Sequence, residues 1–358
     1  MKKVKLSLFV FANIFASILF PEYGVSEPIV FKIGASLPLS GDLSYVGQDI
    51  LRGFEIARRD FNSNEFKFEI IAEDDGYYGK NAATAAMKLI NVDHVDAVIS
   101  LWDMAEVIAP IAESKKIPHF SIRWNPAVTE KYNYTMTIES TYKSWIESLV
   151  ELLKELKTRN VSIIHEEAVG WNLGSEHLIG LLKEHDIKLL SHRIYLRSDT
   201  DYRSILSKAL RDRPDFILLL SNPPFVEGFL KIIRSVNPAQ KTTGYYEIVN
   251  DLSLIEGLPF VAQLEASLWF VEKLDKQYKT RVVTRSPQSY DILSIINSAH
   301  KESNYKRSLK GDEIVKFVRE LKDFEGASGK INSRGTRVIE MDCAWKIVRG
   351  GEIEKFYP

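Results

Sequence analysis

Apolar runs of strand length alternate with helical patterns along most of this 358-residue chain. The strand-like runs are short and nearly continuous in apolar residues, and the segments between them carry apolar residues at i, i+3 and i+4. The predicted strands are Ile29–Ser36, Phe66–Ala72, Ala97–Leu101, His119–Ile122, Val161–His165, Lys188–Tyr195, Phe216–Ser221 and Leu268–Val271. The predicted helices include Ile50–Phe61, Ala82–Ile90, Trp145–Leu156, Leu178–Lys183, Tyr202–Leu210 and Phe225–Ile233.

This alternation predicts an α/β fold with parallel-rich sheets covered by helices on both faces. Roughly 330 residues after the N-terminal segment are too many for one ordinary core, so we expect two lobes. The strand–helix series begins again near Thr141, and turn-rich segments near Gly326 precede a last predicted strand at 336–348. We therefore assign residues 27–138 and 271–327 to lobe 1, and residues 139–270 and 328–358 to lobe 2.

The first 26 residues have the layout of a secretory signal peptide. Three lysines precede the apolar stretch Leu6–Phe20, and a small-residue cleavage site ends at Ser26. The apolar stretch is shorter than the ~20 residues that span a bilayer, although a retained N-terminal anchor is the alternative. We expect cleavage, a mature chain that begins near Glu27, and export to the periplasm of a two-membrane bacterium.

Composition and motifs narrow the function. A hydrophobic content of 45%, a charged content of 27% and a net charge of -1 are typical of a globular protein and do not favour a nucleic-acid partner. The chain has no dinucleotide, phosphate-loop, serine-hydrolase or zinc-protease motif, and its seven histidines are scattered. We expect no catalytic residue, no metal and no cofactor. Cys343 is the only cysteine, so no internal disulfide is possible, and we expect it to be a small buried residue.

Several segments resemble, in the right order, segments of one known family. The early ones read FKIGASLPLSGDLSYVGQDILRGFEIA, AEDDGYYGKNAATAAMKLI and IPHFSIRWNPAVTE. The later ones read SDTDYRSILSKALRDRPDFILL, YDILSIINSAH, FEGASGKI, RGTRV and WKIVRGG. Together they resemble the leucine/isoleucine/valine-type periplasmic binding proteins. The resemblance implies a type I periplasmic binding fold, in which two Rossmann-like lobes joined by a three-crossing hinge enclose a small ligand.

The same resemblance implies a function. A protein of this kind is a periplasmic solute-binding protein that delivers its small-molecule ligand to an inner-membrane ABC permease and does not itself span the membrane. Ligand contacts to both lobes would shift an open–closed equilibrium towards the closed state. One alternative is a soluble ligand-sensing subunit for a membrane receptor or regulator. A weaker alternative is an exported α/β enzyme, because such folds host many sites without a local motif.

The resemblance also suggests first-lobe site residues. In the amino-acid binders of this family, Ser and Thr hydroxyls and backbone N–H groups hold the ligand carboxylate. Here Trp102 or Asp103 falls at the serine position and Trp124 at the threonine position, which departs from the family. Arg123 either binds an anion bidentately or points into solvent. The alternative is that both tryptophans fill the core and that Asp103 caps the next helix.

In the second lobe, the resemblance aligns Glu247 with a glutamate that pairs with the ligand ammonium, and Trp171 with an aromatic lid. Tyr45, Ser221 and Asn222 complete the predicted wall. The alternatives are a solvated carboxylate for Glu247, and loop packing or capping for the others. Because tryptophan faces favour aromatic or cationic ligands, we expect an amine-containing or aromatic, amino-acid-like molecule rather than plain leucine.

Overall fold

The computed structural model describes residues 27–222, 224–247, 249–263, 265–281 and 283–358. The predicted signal peptide, residues 1–26, lies outside the described residues. The strands are β1 Ile29–Leu37, β2 Phe66–Asp74, β3 Ala97–Leu101, β4 His119–Ile122, β5 Thr135–Ile138, β6 Asn160–Glu166, β7 Lys188–Tyr195, β8 Phe216–Leu220, β9 Lys241–Gly244, β10 Pro259–Ala262, β11 Phe324–Gly326, β12 Gly329–Asn332, β13 Val338–Met341, β14 Ala344–Arg349 and β15 Glu352–Lys355.

The helices fall between these strands, as the hydrophobic pattern predicts. They are α1 Ser44–Phe61, α2 Gly79–Asn91, α3 Met104–Lys115, α4 Ala127–Lys131, α5 Tyr142–Glu155, α6 Val169–Glu184, α7 Tyr202–Leu210, α8 Phe225–Val236, α9 Leu268–Tyr278, α10 Ser286–Glu302 and α11 Gly311–Arg319, with a short 3₁₀ helix at Leu252–Ile255. Asp201 begins α7 as predicted, because its side chain accepts a hydrogen bond from the Ser204 N–H at 3.0 Å.

The first lobe is built on an eight-stranded sheet in the order β11-β12-β13-β5-β4-β3-β1-β2. Strands β1 to β5 and β13 pair in parallel, whereas β11, β12 and β13 pair antiparallel. Successive side chains point to opposite faces of the sheet. In β3, Ile99 therefore joins the core that includes residues of α1 and α10, and Val98 joins the core of α2 and α3. Helices thus cover both faces of this sheet.

The second lobe contains a parallel sheet in the order β7-β6-β8-β9 and an antiparallel sheet in the order β10-β14-β15. In β6, Val161 and Ile163 pack with the residues of α5 and α6, while Ile164 packs on the opposite face with those of α7 and α8. The central strands are buried on both faces and so are apolar throughout. The predicted α/β class with two Rossmann-like lobes is confirmed.

Two of the predicted strands are wrong. The run Leu268–Val271 is the start of α9, because Phe270 and Leu274, four positions apart, are buried in the first-lobe core while Leu268 is exposed. The run 336–348 is not one strand but two, β13 and β14, which belong to different sheets. A short apolar run does not distinguish a strand from a helix, and it does not reveal a change of sheet.

Within the described residues the chain passes between the lobes three times: at 139–141, after Gln263 and before Leu268, and at 342–343. The third passage differs from the predicted boundary, which assigned residues 328–358 to lobe 2. Strands β12 and β13 instead belong to the eight-stranded sheet, because Val338 and Ile339 of β13 pair in parallel with β5. The second passage leads directly into α9, so lobe 1 resumes at Leu268 rather than at residue 271.

Ser140 lies where the three connections converge. Its hydroxyl is within hydrogen-bond distance of the carbonyl oxygen of Gln263, in the second connection, and of Met341, at 2.7 Å, next to the third. A hydroxyl has one hydrogen, so it donates to one of the two carbonyls at a time. Cys343, half-buried in the third connection, lies near Ser140, and burial raises the pKa of its thiol to about 12. The thiol therefore stays protonated, in the manner of a small apolar residue.

Candidate binding cleft

The carboxyl ends of the parallel strands in the two lobes face each other across a cleft. Trp124, after β4 in the first lobe, contacts Trp171, after β6 in the second, with ring centroids 4.5 Å apart. Tyr77, after β2, and Arg197, after β7, also lie within range of electrostatic interaction across the cleft. Loops at the carboxyl ends of parallel strands are where open α/β sheets bind ligands.

An aromatic cluster closes the cleft on one side. The ring of Trp171 is 3% exposed and lies edge-on to Trp124, Tyr245 and Trp145, with centroid distances of 4.5, 5.5 and 6.4 Å. Gly170 allows this approach, because a Cβ there would lie 3.0 Å from Nε1 of Trp124. The structure brings the predicted residues Trp124 and Trp171 together, but in this conformation the two rings contact each other.

Trp102 bridges the two lobes. It is half-buried and packs against the hydrophobic cores of both, and its ring lies edge-on to Tyr77 at 5.8 Å. Its backbone φ is +46°, in the left-handed region that a bulky residue rarely adopts. The side chain thus lies between the lobes, where it contributes to both cores.

Arg123 does not point into solvent. Its guanidinium is buried, with Nη1 donating to Glu106 Oε1 at 3.2 Å and Nη2 lying 3.8 Å from Asp103 Oδ1. The side chain of Asp103 is 72% exposed and makes no capping hydrogen bond, although the residue begins α3. Tyr77 donates from its hydroxyl to Asp103 Oδ2 at 3.5 Å. Asp103 is thus an exposed carboxylate on the first-lobe wall, close to aromatic rings.

Glu247 is almost completely engaged by the protein. Its side chain is 10% exposed, Oε1 accepts from Arg285 Nη1 at 2.9 Å, and Oε2 accepts from the Gln263 N–H at 2.7 Å. Buried carboxylates need such partners, because unpaired burial of a charge is costly. The cation that the sequence argument assigned to a ligand is supplied here by an arginine of the chain.

Sequence reasoning missed Arg285, which is fully buried between the lobes. Its Nε lies 2.6 Å from Glu139 Oε1, an ion pair without hydrogen-bond geometry. Its Nη1 donates to the Thr284 carbonyl at 2.6 Å, and its Nη2 donates to Tyr245 Oη at 2.5 Å and to Gln263 Oε1 at 2.6 Å. An arginine before a buried helix was the available signal, since a buried charge demands an acidic partner.

Burial and neighbouring charges shift the pKa values of the groups around Arg285 in opposite directions. Burial raises the pKa of Glu139 to about 7, although Arg285 opposes the shift. Burial lowers the pKa of Arg285, but Glu139, Tyr245 and Glu247 together raise it by more, so the guanidinium stays charged. Burial also raises the pKa of the Tyr245 hydroxyl, which remains protonated and donates to Gln263 Oε1 at 2.9 Å.

Asp49 fixes the backbone that carries Arg285. Its Oδ2 accepts from the N–H groups of Thr284, Arg285 and Ser286 at 2.8, 2.7 and 2.8 Å, and from the Thr284 hydroxyl at 2.8 Å. These N–H groups belong to the start of α10, where helical N–H groups have no partner within the helix and favour negative charge. Asp49 lies on α1, so the first lobe presents Arg285 from a rigid base.

The second-lobe wall contains a second ion pair. Glu166, at the end of β6, is buried and accepts from Nε of Arg197, which is exposed. The backbone N–H of Asn222 donates to Glu166 Oε2 at 3.4 Å, so this predicted residue lies on the wall. Ser221 is buried and hydrogen-bonded to the Tyr195 hydroxyl, a structural contact beneath the wall. Among these charged groups, Arg197 is the one open to solvent.

Tyr45 stands at the start of α1 with a free hydroxyl. The residue is half-buried, and its hydroxyl oxygen is buried without a hydrogen-bond partner among the described residues. Burial raises its pKa, and the nearby Arg285 and Glu227 have smaller effects of opposite sign. Glu227 belongs to the second lobe, so Tyr45 lies between the lobes with an unused donor.

Comparison with known proteins decides the family. The model of a family described as periplasmic binding protein matches residues 30–349. This chain belongs to that family. Leu/Ile/Val-binding protein homolog 7 of Brucella suis biovar 1 (strain 1330) is 21% identical over 210 residues, which are 53% of this chain and 52% of the relative. The chain spans about half the length of the curated relatives it matches.

Solved structures share the same fold. A leucine-binding protein of Thermotoga maritima superposes with a TM-score of 0.80 at 22% identity, over 91% of this chain and 98% of that one. A solute-binding protein of an ABC transporter from Rhodopseudomonas palustris BisB5, in complex with 3,4-dihydroxybenzoic acid, has a TM-score of 0.80 at 18% identity, over 91% and 95%. The predicted family and the type I periplasmic binding fold are confirmed.

Proteins of this family are solute-binding proteins that bind a small ligand and work with ABC transporter permeases. Within the part of the chain that the structure describes, no helix has the length and apolar character needed to cross a membrane.

Proposed function

We propose that this chain is a periplasmic solute-binding protein that captures one small aromatic or amino-acid-like ligand between its lobes and delivers it to an inner-membrane ABC permease. One observation carries the proposal: loops from the carboxyl ends of both parallel sheets meet at a single cleft, where Trp124 lies 4.5 Å from Trp171. A ligand held there contacts both lobes at once. Such contacts stabilise the closed state over the open one.

The exposed groups of the cleft support this ligand class. Tyr77 and Trp102 offer partly exposed aromatic surface, and Asp103 and Arg197 offer one accessible charge of each sign, on opposite walls. A ring packs on aromatic faces, and a carboxylate or an ammonium pairs with the charge of opposite sign. Amino acids and aromatic acids both combine these features, and the two structural neighbours bind one of each.

Closure and opening follow from the same contacts. Trp124 must separate from Trp171 for a ligand to pass between them, and we expect the bending at the three connections near Ser140. Hinge motions of this kind are absorbed by a few residues at the ends of elements. The ligand then replaces part of the contact between the two rings, which offsets the cost of opening.

A thermal-shift screen tests the proposal. The panel contains leucine, phenylalanine, tryptophan, 4-hydroxybenzoate, 3,4-dihydroxybenzoate and phenethylamine. A ligand at 100 times its dissociation constant should add about 2.7 kcal/mol to the free energy of unfolding, which raises the melting temperature by several degrees. A binder should also reduce the radius of gyration in small-angle scattering. A panel without any stabilising compound would count against this ligand class, and conversion of an added compound would indicate an enzyme.

Delivery and export require their own measurements. The liganded chain should stimulate ATP hydrolysis by its permease in lipid nanodiscs, whereas a sensing subunit would leave that rate unchanged. The N-terminus of protein recovered from the periplasm should lie near Glu27, and protein that still began at Met1 would contradict cleavage.

A further inference from the structure

The protein engages every nitrogen of the Arg285 guanidinium. Of the five N–H donors of an arginine, the four on Nη1 and Nη2 donate to Glu247, the Thr284 carbonyl, Tyr245 and Gln263. The fifth, on Nε, makes no hydrogen bond with good geometry, but Nε lies 2.6 Å from Glu139 Oε1 in a buried ion pair. The guanidinium is therefore an occupant of this part of the cleft rather than a group that waits for an anion.

The groups around Arg285 form a receptor for a cation. Two are carboxylates, Glu139 and Glu247, and two more are oxygen acceptors, Tyr245 Oη and Gln263 Oε1. Most of these acceptors belong to the second lobe or to the connections, whereas the backbone of Arg285 is held by Asp49 in the first lobe. The cation thus reaches the acceptors from the opposite lobe, as a ligand in the cleft would.

We propose that Glu139, Glu247, Tyr245 and Gln263 form a cation subsite whose built-in occupant is Arg285, and that this occupancy excludes a ligand ammonium from Glu247. The proposal deepens the proposed function, since it specifies what the ligand lacks at this end of the cleft. A ligand with an amine must direct it elsewhere, for example towards the exposed carboxylate of Asp103.

Chemical rescue tests the subsite without knowledge of the ligand. Arg285→Ala in the full chain removes the guanidinium and leaves its acceptors. Melting temperatures are measured with 1 to 20 mM methylguanidinium chloride, roughly the range expected for a weakly held ion, and with sodium chloride at equal ionic strength. We expect a saturable, methylguanidinium-specific rise for Arg285→Ala and none for the wild type, whose subsite is full. The double variant Arg285→Ala/Glu247→Gln should need at least about tenfold more methylguanidinium, because a charged acceptor is lost.

Arg234→Ala is the matched control. Arg234 is a partly buried arginine that binds only main-chain carbonyls, those of Leu254 and Pro238, at 3.2 and 2.9 Å. Among the described residues no carboxylate binds Arg234, so methylguanidinium should act on this variant as sodium does. Equal responses of Arg285→Ala and Arg234→Ala would overturn the proposal, because the effect would then be general.

The subsite can also be tested if Arg285→Ala fails to fold. If Arg285→Ala does not accumulate as folded protein, it is refolded from urea with and without 20 mM methylguanidinium, and the folded yield is measured by circular dichroism. Restored yield supports the subsite, and an unchanged yield overturns it. Because neither readout uses a transport ligand, rescue combined with an empty ligand screen would retract the proposed function and keep the subsite.

Discussion

Trp171→Ala should destabilise the unliganded protein by about 3 to 5 kcal/mol, the usual cost of truncating a buried tryptophan. Trp171 is 3% exposed, and its ring lies against Trp124, Tyr245 and Trp145, so its removal leaves a large cavity. Each such aromatic pair adds roughly 0.5 to 1.5 kcal/mol beyond area burial. Urea unfolding followed by circular dichroism measures the loss directly.

The loss of stability in Trp171→Ala should have two parts, one from contacts within the second lobe and one from the contact between the lobes. Trp145 and Tyr245 belong to the second lobe, so their contacts with Trp171 persist in any arrangement of the lobes. Trp124 comes from the first lobe, so its contact exists only when the lobes are closed. A double-mutant cycle of Trp124→Ala and Trp171→Ala isolates this contact, with an expected coupling of about 0.5 to 1.5 kcal/mol.

Trp269→Ala is the control for tryptophan removal in general. Trp269 is 40% exposed and should cost clearly less than Trp171. If Trp171→Ala lowered the free energy of unfolding no more than the control did, Trp171 would be a lid whose main partner is the ligand, as the sequence suggested. The reasoning from burial would then be refuted.

Three further predictions concern the charged groups. Glu247→Gln should change the affinity for any ligand found by the screen less than about threefold in calorimetry, because this carboxylate already has protein partners; a loss of tenfold or more would identify a ligand cation there. Asp49→Asn should lower the free energy of unfolding by about 1.5 to 3 kcal/mol, because a charged acceptor of three N–H groups at the start of α10 is lost, and an unchanged melting temperature would contradict this. Burial lowers the pKa of His119 from 6.5 to about 3, so its contribution to stability is complete above pH 6.5 and is lost as the pH falls towards 3, by up to ~1.4 kcal/mol per pH unit. His119→Asn should flatten the pH dependence of urea unfolding over that range, and curves parallel to the wild type would contradict the prediction.

The hydrophobic pattern predicted several strands well. Ala97–Leu101 and His119–Ile122 were predicted with their observed bounds, because each is a run of buried residues. The strands β5, β9 and β10 were missed although β4 is equally short, because threonines interrupt the apolar residues of β5 and β9 and a proline begins β10. The switch from β13 to β14 was missed because membership of a sheet is decided by which strands pair, which is a tertiary property.

The position of the site was predictable, but the partners of its side chains were not. Strand ends of parallel sheets meet at one edge, and the family resemblance assigned Trp102, Trp124 and Trp171 to the loops at the ends of β3, β4 and β6. The burial rule was also right for Glu247, which does require a cation. From the sequence, we expected the ligand to supply that cation. The chain supplies Arg285 instead, 38 residues further on and delivered from the other lobe by a helix that Asp49 anchors. A carboxylate in a binding loop thus indicates that a cation is present, and only the three-dimensional arrangement decides whether it belongs to the ligand or to the protein.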